Sequence, residues 1–228
     1  MPQDFKAGFL KTLWILREYL SVIVIGGGWV PLLYYHYLLA DKSREPIRTR
    51  DIDLLVNIQV PMVGEKTVDR LLLEAGFKAA FKSSDTPPVI HYEGTIDGEE
   101  VEIEFLTDQR GPRDDGVIEV QKGLHAEALR FISIPINHTV DVTIDDFRTG
   151  GEYHPISVKV PSPEAYIFHK GLIFERRKDK RKKAKDLYYI LDILANCPDL
   201  KERIINGLKD FEKGYPSWFS RFIKNLQK

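Results

Sequence analysis

The sequence has a single cysteine, Cys197, in 228 residues. That excludes an internal disulfide framework and fits a reducing cytoplasm. No apolar run approaches the ~20 residues of a membrane span. The opening residues, Met1-Pro2-Gln3-Asp4-Phe5-Lys6, lack a signal-peptide pattern, so the expected location is cytoplasmic and off the membrane. Neither sign of charge prevails: 33 Lys and Arg stand against 34 Asp and Glu, a net charge of −1 that argues neither for nor against nucleic acid. The six histidines form no HExxH helix and no zinc-ligand cluster with cysteine. There is no internal repeat and no low-complexity segment apart from one basic run.

What is present is an ordinary globular composition, 43% hydrophobic and 29% charged. A chain of this length suits one domain with an appendage, or two small ones, and buries a real core. It is organised around residues 22–56. Val22-Ile23-Val24-Ile25 has the β-branched composition of a buried strand. Gly26-Gly27-Gly28 follows at once, and a helix is expected over 29–39, with Pro31 in its first turn where no N–H is needed. A second strand begins at Asp51-Ile52-Asp53-Leu54-Leu55-Val56. Residues two apart on a strand share a face, so Asp51 and Asp53 project together while Ile52 and Leu54 enter the core. Two such carboxylates suit hard cations such as Mg²⁺. They can hold two ions about 3.5–4 Å apart, the spacing that clamps both oxygens of a phosphoryl displacement. Glycines let backbone N–H groups at a helix start approach phosphate closely. One motif thus offers a phosphate cradle and a metal seat.

Elsewhere the periodicity predicts helices over 4–20 and 65–75, the second ended by Gly76. Strands are expected over 77–81, 89–93 and 100–106, with Asp97-Gly98 as a hairpin turn. Val101, Ile103 and Phe105 alternate with Glu102 and Glu104. This is either a strand with one wet face or the source of a third carboxylate beside Asp51 and Asp53, and alternation does not separate the two glutamates. Residues 107–123 read as loop, followed by strands over 128–134, 139–144 and 156–160 and a turn at Thr149-Gly150-Gly151. Arg44, Arg48 and Arg50 are solvated loop charges, partners of the two aspartates, or contacts to a triphosphate.

At Pro161-Ser162-Pro163-Glu164 the pattern becomes helical, with Ser162 as N-cap and acid in the first turn. Helices are expected over 163–174, 178–194, 199–211 and 216–226. The run from Arg176 to Lys185 is strongly basic, either a solvated helix face or a phosphate or RNA footprint. Lys170 and Lys185-Asp186-Leu187-Tyr188 lie on helices able to face the carboxylates.

Gly26-Gly27-Gly28-Trp29, then Arg48-Thr49-Arg50-Asp51-Ile52-Asp53-Leu54, then Glu104-Phe105-Leu106, resembles the nucleotidyltransferase superfamily, which includes polymerase β, tRNA CCA-adding enzymes and antibiotic adenylyltransferases. Lys170 and Lys185-Asp186 are similar to its AbiEii-type, minor-nucleotidyltransferase branch. Gly27 stands where many members have serine, and Tyr189 where that branch often has a further aspartate. The resemblance implies an α+β fold: a mixed β-sheet flanked by helices over 1–160, carrying catalysis, followed by a C-terminal helical bundle over 161–228. It implies transfer of a nucleoside monophosphate from a nucleoside triphosphate such as ATP to an acceptor hydroxyl on RNA, tRNA, protein or a small molecule, releasing pyrophosphate. Asp51, Asp53 and Glu104 would be catalytic and hold two Mg²⁺ ions, or Mn²⁺. Gly26, Gly27, Gly28, Arg48, Lys170 and Lys185 would bind the nucleotide, and the basic run 176–185 an RNA or tRNA acceptor. The alternative is a non-catalytic nucleotide- or RNA-binding module of the same fold, such as a toxin–antitoxin component. Acceptor, base and oligomeric state are not legible.

Overall fold

Phe9 and Leu13 lie one turn apart, and the helix that carries them, α1 (Lys6–Ile15), buries both. It opens the described chain: the structure, a computed structural model, describes residues 6–47, 49–81, 90–109 and 116–228. A 3₁₀ turn leads to β1 (Ile23–Ile25), whose three side chains are all buried. Gly27–Trp29 then winds as a 3₁₀ turn, α2 (Val30–Leu33) continues it, and Tyr34–Leu38 widens into a π turn. The helix expected over 29–39 is therefore one rod with three windings. It is anchored where the π turn begins, by the Tyr34 hydroxyl donating to the Pro161 carbonyl at 2.6 Å.

Next come β2 (Asp51–Val56), α3 (Val68–Glu74), β3 (Lys78–Phe81), β4 (Ile90–Ile96) and β5 (Glu99–Asp108). Residue 89, at the start of one expected strand, lies outside the described residues. Asp97 and Gly98 both have positive φ, 53° and 83°, the backbone of a two-residue hairpin turn. The expected loop over 107–123 is corrected in part: β5 runs on to Asp108, and β6 (Gly116–Gln121) is a strand. Val117, Ile118 and Val120 make that segment strand-forming, and it gains its ladder by pairing antiparallel with β7 (Leu124–Leu129). The strand expected over 128–134 is displaced to β7. The chain turns at Phe131, φ 68°, and α4 (Ser133–Asn137) begins with its first N–H donated to Asp108 Oδ1 at 2.9 Å. β8 (Thr139–Ile144), a small hairpin of β9 (Arg148–Thr149) and β10 (Glu152–Tyr153), and β11 (Ile156–Pro161) complete the strands. The helices α5 (Pro163–Ile173), α6 (Lys180–Asn196), α7 (Lys201–Gly214) and α8 (Pro216–Leu226) follow.

The fold is α+β. Among the described residues nine strands form one mixed sheet, with the spatial order β3-β4-β5-β2-β1-β11-β8 and with β7 and β6 added beyond the end of β5. β2 runs parallel to β5 and antiparallel to β1, and β1 parallel to β11. One face, with Ile52, Leu54, Ile103 and Phe105, packs on α1 and α2 in the main core. The other carries a small apolar patch of Val24, Leu55, Leu106 and Ile132, and beside it the acidic residues of β2 and β5. The main core continues past Pro161 without a break. α5 is buried along almost its whole length, and Phe168 stacks on Phe211 of α7 at 5.0 Å and meets Phe222 of α8 edge-on at 5.2 Å. Asn225 of α8 fastens this bundle, donating to the carbonyls of Gly171 and Leu172 at 2.9 and 3.3 Å at the end of α5.

Buried amide donors of this kind are costly to remove because the carbonyls they satisfy stay buried. Asn225→Ala should therefore destabilise the protein by about 1–3 kcal/mol, read as a fall in Tm of several degrees. An unchanged melting curve would mean that α8 is held by its apolar face alone.

Candidate active site

In the parallel register of β2 and β5, Asp51 lies beside Glu102 and Asp53 beside Glu104, so all four carboxylates leave the sheet on one face. They open towards a cleft of about 470 Å³. Asp51, Asp53 and Glu104 line it, whereas Glu102, one step towards the start of β5, does not. The apolar pair Leu55 and Leu106, next along the same face, forms part of its floor.

The turn Gly26-Gly27-Gly28 is the second wall. It is fixed to β2 by two bonds: Gly26 N–H donates to the Asp53 carbonyl at 2.8 Å, and the Trp29 indole N–H to the Asp51 carbonyl at 3.0 Å. Trp29 is held flat against Phe9, ring centroids 4.0 Å apart. Gly27 has φ +61°, and a Cβ there would overlap Asp53 Oδ2, so the glycine is required both by conformation and by the carboxylate at its back. The Gly26 N–H is committed to β2, which leaves the amides that follow it as the donors of this turn.

The third wall comes from α5 and α6. Tyr166, His169, Lys170 and Ile173 line the cleft from α5, at the spacing i, i+3, i+4, i+7. Lys182, Lys185, Asp186 and Tyr189 do so from α6 at the same spacing. The Tyr166 hydroxyl donates to the Gly27 carbonyl at 3.0 Å. Asp186, 3% exposed, accepts from Lys170 Nζ at 2.7 Å and from Arg177 Nε at 2.9 Å. Lys185 Nζ reaches the Thr49 hydroxyl at 3.5 Å, and that hydroxyl donates to the Asp51 carboxylate.

The electrostatics follow from this crowding. Burial, then the neighbouring Asp51 charge, pushes the Asp53 carboxyl up to about 6, against the pull of Lys170, Arg177 and Lys185. Burial would also raise Asp186, but Lys170 and Arg177 outweigh it and hold its carboxyl below the usual carboxylate range. Burial, reinforced by Lys170, lowers His169 to about 3, so its imidazole is neutral. Burial raises the Tyr189 phenol, which stays protonated.

Of the residues singled out in the sequence, the fold brings Gly26, Gly27, Gly28, Asp51, Asp53, Glu104, Lys170 and Lys185 to one cleft. Arg48 lies outside the described residues. Arg176, Arg177, Lys178 and Lys182 of the basic run also line the cleft, while Lys183 turns away to pair with Glu175. Sequence reasoning gave no site role to Thr49, Tyr166, His169 or Tyr189. For the last three the available signal was the polar stripe at helical spacing on α5 and α6. The carboxylates are oxygen donors of the kind that hold Mg²⁺ or Mn²⁺, and a cation between them would offset the burial and the Asp51 charge that raise Asp53. As placed, no three His, Cys, Asp or Glu side chains among the described residues stand close enough to share an ion, and Thr49 engages Asp51.

Two expected outcomes follow. Gly27→Ala should lower Tm by more than Gly76→Ala: both glycines have positive φ, but nothing lies within 4 Å of a Cβ at Gly76, whereas Gly27 backs onto Asp53. Equal losses would remove the steric role of Asp53. The second concerns pH. The Asp53 carboxyl stands near 6 in the fold against its ordinary 3.8, so the folded state holds a proton that the unfolded state has released. Stability from this group therefore falls as pH rises from about 4 to about 6 and stays lower above. Without divalent cation, Asp53→Asn should melt several degrees above the parent at pH 7.5, with the gap closing towards pH 4. A gap independent of pH would show that Asp53 carries no unfavourable charge.

A family model described as Nucleotidyltransferase matches residues 12–197, which span the sheet, the cleft and both helices that close it. No curated protein matches the chain. Among solved structures, an antigenic nucleotidyltransferase-like protein from Paracoccidioides brasiliensis is similar at 18% identity and a TM-score of 0.46, over 96% of this chain and 93% of that one. No helix among the described residues is long and apolar enough to cross a membrane. With four-fifths of its length inside that family match, the chain belongs to the nucleotidyltransferase family.

Proposed function

We propose that the chain moves a nucleoside monophosphate from a nucleoside triphosphate to an acceptor hydroxyl, with release of pyrophosphate and dependence on divalent metal. The family supports nucleotidyl transfer in general. The observation that carries the finer reading is the cleft itself. Asp51, Asp53 and Glu104 form one wall, and the glycine turn with Lys170 and Lys185 forms the others. Lys170 on α5 and Lys185-Asp186 on α6 support the AbiEii-type branch.

In this reading the amides following Gly26 hold the β- and γ-phosphates, and Lys170 and Lys185 balance their charge. Two Mg²⁺ ions, or Mn²⁺, held by Asp51, Asp53 and Glu104, would supply the Lewis acidity that stabilises the transferred phosphoryl group and acidifies the acceptor hydroxyl. Glu104, adjacent to Asp53 across the β2–β5 ladder, takes the acceptor's proton. The acceptor oxygen forms its bond to the α-phosphorus as the bond to pyrophosphate breaks. Thr49 orients Asp51. The basic residues Arg176, Arg177, Lys178 and Lys182 along the cleft favour a polyanionic ligand, either the triphosphate or an RNA or tRNA acceptor.

The test is metal-dependent transfer of α-labelled nucleotide to a panel of RNA, protein and small-molecule acceptors. Asp53→Asn should abolish transfer. Glu104→Gln should lower turnover about 10²-fold or more while triphosphate affinity changes little, and Glu102→Gln should be mild. The reverse ranking of the two glutamates would overturn the role of Glu104. A chain that binds nucleotide but transfers no label with any metal would be the non-catalytic binding module.

A further inference from the structure

Two buried polar atoms in the cleft have no hydrogen-bond partner among the described residues: the Tyr189 hydroxyl and His169 Nε2. Tyr189 is 1% and His169 9% exposed. Native interiors partner nearly all such atoms, so an orphan at a cleft marks a place where something else completes the bond. Two buried tyrosine hydroxyls nearby are satisfied within the protein. Tyr166 donates to the Gly27 carbonyl and Tyr34 to the Pro161 carbonyl. Tyr189 is the exception, and its placement is specific.

Two ammonium groups lie over the Tyr189 ring, Lys170 at 5.7 Å and Lys185 at 5.8 Å from its centroid. Its hydroxyl reaches the glycine turn, 2.5 Å from where a Cβ on Gly28 would stand. Gly28 thus makes room for this hydroxyl. A neutral donor set among cations and backbone glycine is suited to an anion with several acceptor oxygens. It adds a directional bond without adding charge.

We propose that Tyr189 is a substrate-binding residue whose hydroxyl donates a hydrogen bond to a non-bridging oxygen at the diphosphate end of a nucleoside triphosphate seated at the glycine turn. This rests on the nucleotidyl-transfer reading above. It makes Tyr189 a sensor of the leaving group: triphosphate and pyrophosphate engage it, and a nucleoside monophosphate does not.

The test is Tyr189→Phe in the full chain, which removes one oxygen and keeps the ring. Thermal melts of the free protein and calorimetry with MgCl₂ plus inorganic pyrophosphate, a nucleoside triphosphate or a nucleoside monophosphate provide the readouts. The free variant should melt at or above the parent, because an unpartnered buried hydroxyl is lost. Its Kd for pyrophosphate and triphosphate should rise about tenfold or more, and its Kd for the monophosphate should be unchanged. A structural role would instead lower Tm and weaken all three ligands alike, overturning the proposal. Unaltered pyrophosphate and triphosphate affinity would overturn it while leaving nucleotidyl transfer standing. A parent protein that binds neither pyrophosphate nor triphosphate would overturn both.

Discussion

Two like charges on one face of a strand repel, and in this fold they do so under partial burial. Asp51 and Asp53 project together from β2 into a cleft, and the Asp53 carboxyl sits against the backbone of Gly27. Burial, then the Asp51 charge, raises that carboxyl to about 6 even with Lys170, Arg177 and Lys185 pulling it down. The compensating cations come from the far end of the chain. β11 runs parallel beside β1 and delivers the chain through Pro161 into α5, so Lys170 and then Arg177 and Lys185 arrive over the same face. The sheet supplies the negative wall and the helices the positive one, and neither set is balanced alone. The continuity of the hydrophobic core across Pro161 keeps the two in register.

Asp186 shows how the positive wall is ordered. A buried ion pair is weak evidence for stability, because desolvation offsets the attraction. Its consequence here is positional. By binding Lys170 with one oxygen and Arg177 with the other, Asp186 ties two long, flexible side chains to α6. Lys185, the preceding residue, stays directed towards Thr49 and, through it, Asp51. The adjacent pair Lys185-Asp186 thus divides its work: the acid organises cations within the helical layer, and the base reaches across to the sheet.

Much of this was legible in the sequence where a single element carries the information. A glycine run before a helix and an acid-x-acid strand follow from backbone freedom and from the two-residue period of a strand. Alternation did not separate Glu102 from Glu104, because it fixes a face and not a height; the choice of Glu104 came from the resemblance alone. It takes the register of β5 on β2 to set Glu104 beside Asp53 in the cleft. β6 was obscured by the Gly, Asp and Arg residues before it, although Val117, Ile118 and Val120 were there to read. Tyr166, His169 and Tyr189 were hidden differently. Each sits on the inward face of an amphipathic helix, where an aromatic residue is normally core. Only the packing of α5 and α6 against the glycine turn turns those faces towards a polar cleft.

The glycine turn is where these constraints meet, and its three residues are not equivalent. Gly27 needs its positive φ and lies too close to Asp53 for a side chain. Gly28 is excluded from bearing one by space, with the Tyr189 hydroxyl at 2.5 Å and the Thr49 side chain at 2.8 Å from a Cβ position. A Cβ at Gly26 would stand 2.9 Å from the Leu55 side chain, and the Gly26 N–H is bonded to the Asp53 carbonyl. The contacts on Gly26 and Gly27 come from β2, and those on Gly28 from α6 and from Thr49 ahead of β2. A side chain at position 27 would push on the carboxylates, and one at position 28 would push on the helix that carries the cations. The bare backbone therefore does more than admit a phosphate: it lets the acidic sheet and the basic helices approach closely enough to share one cleft.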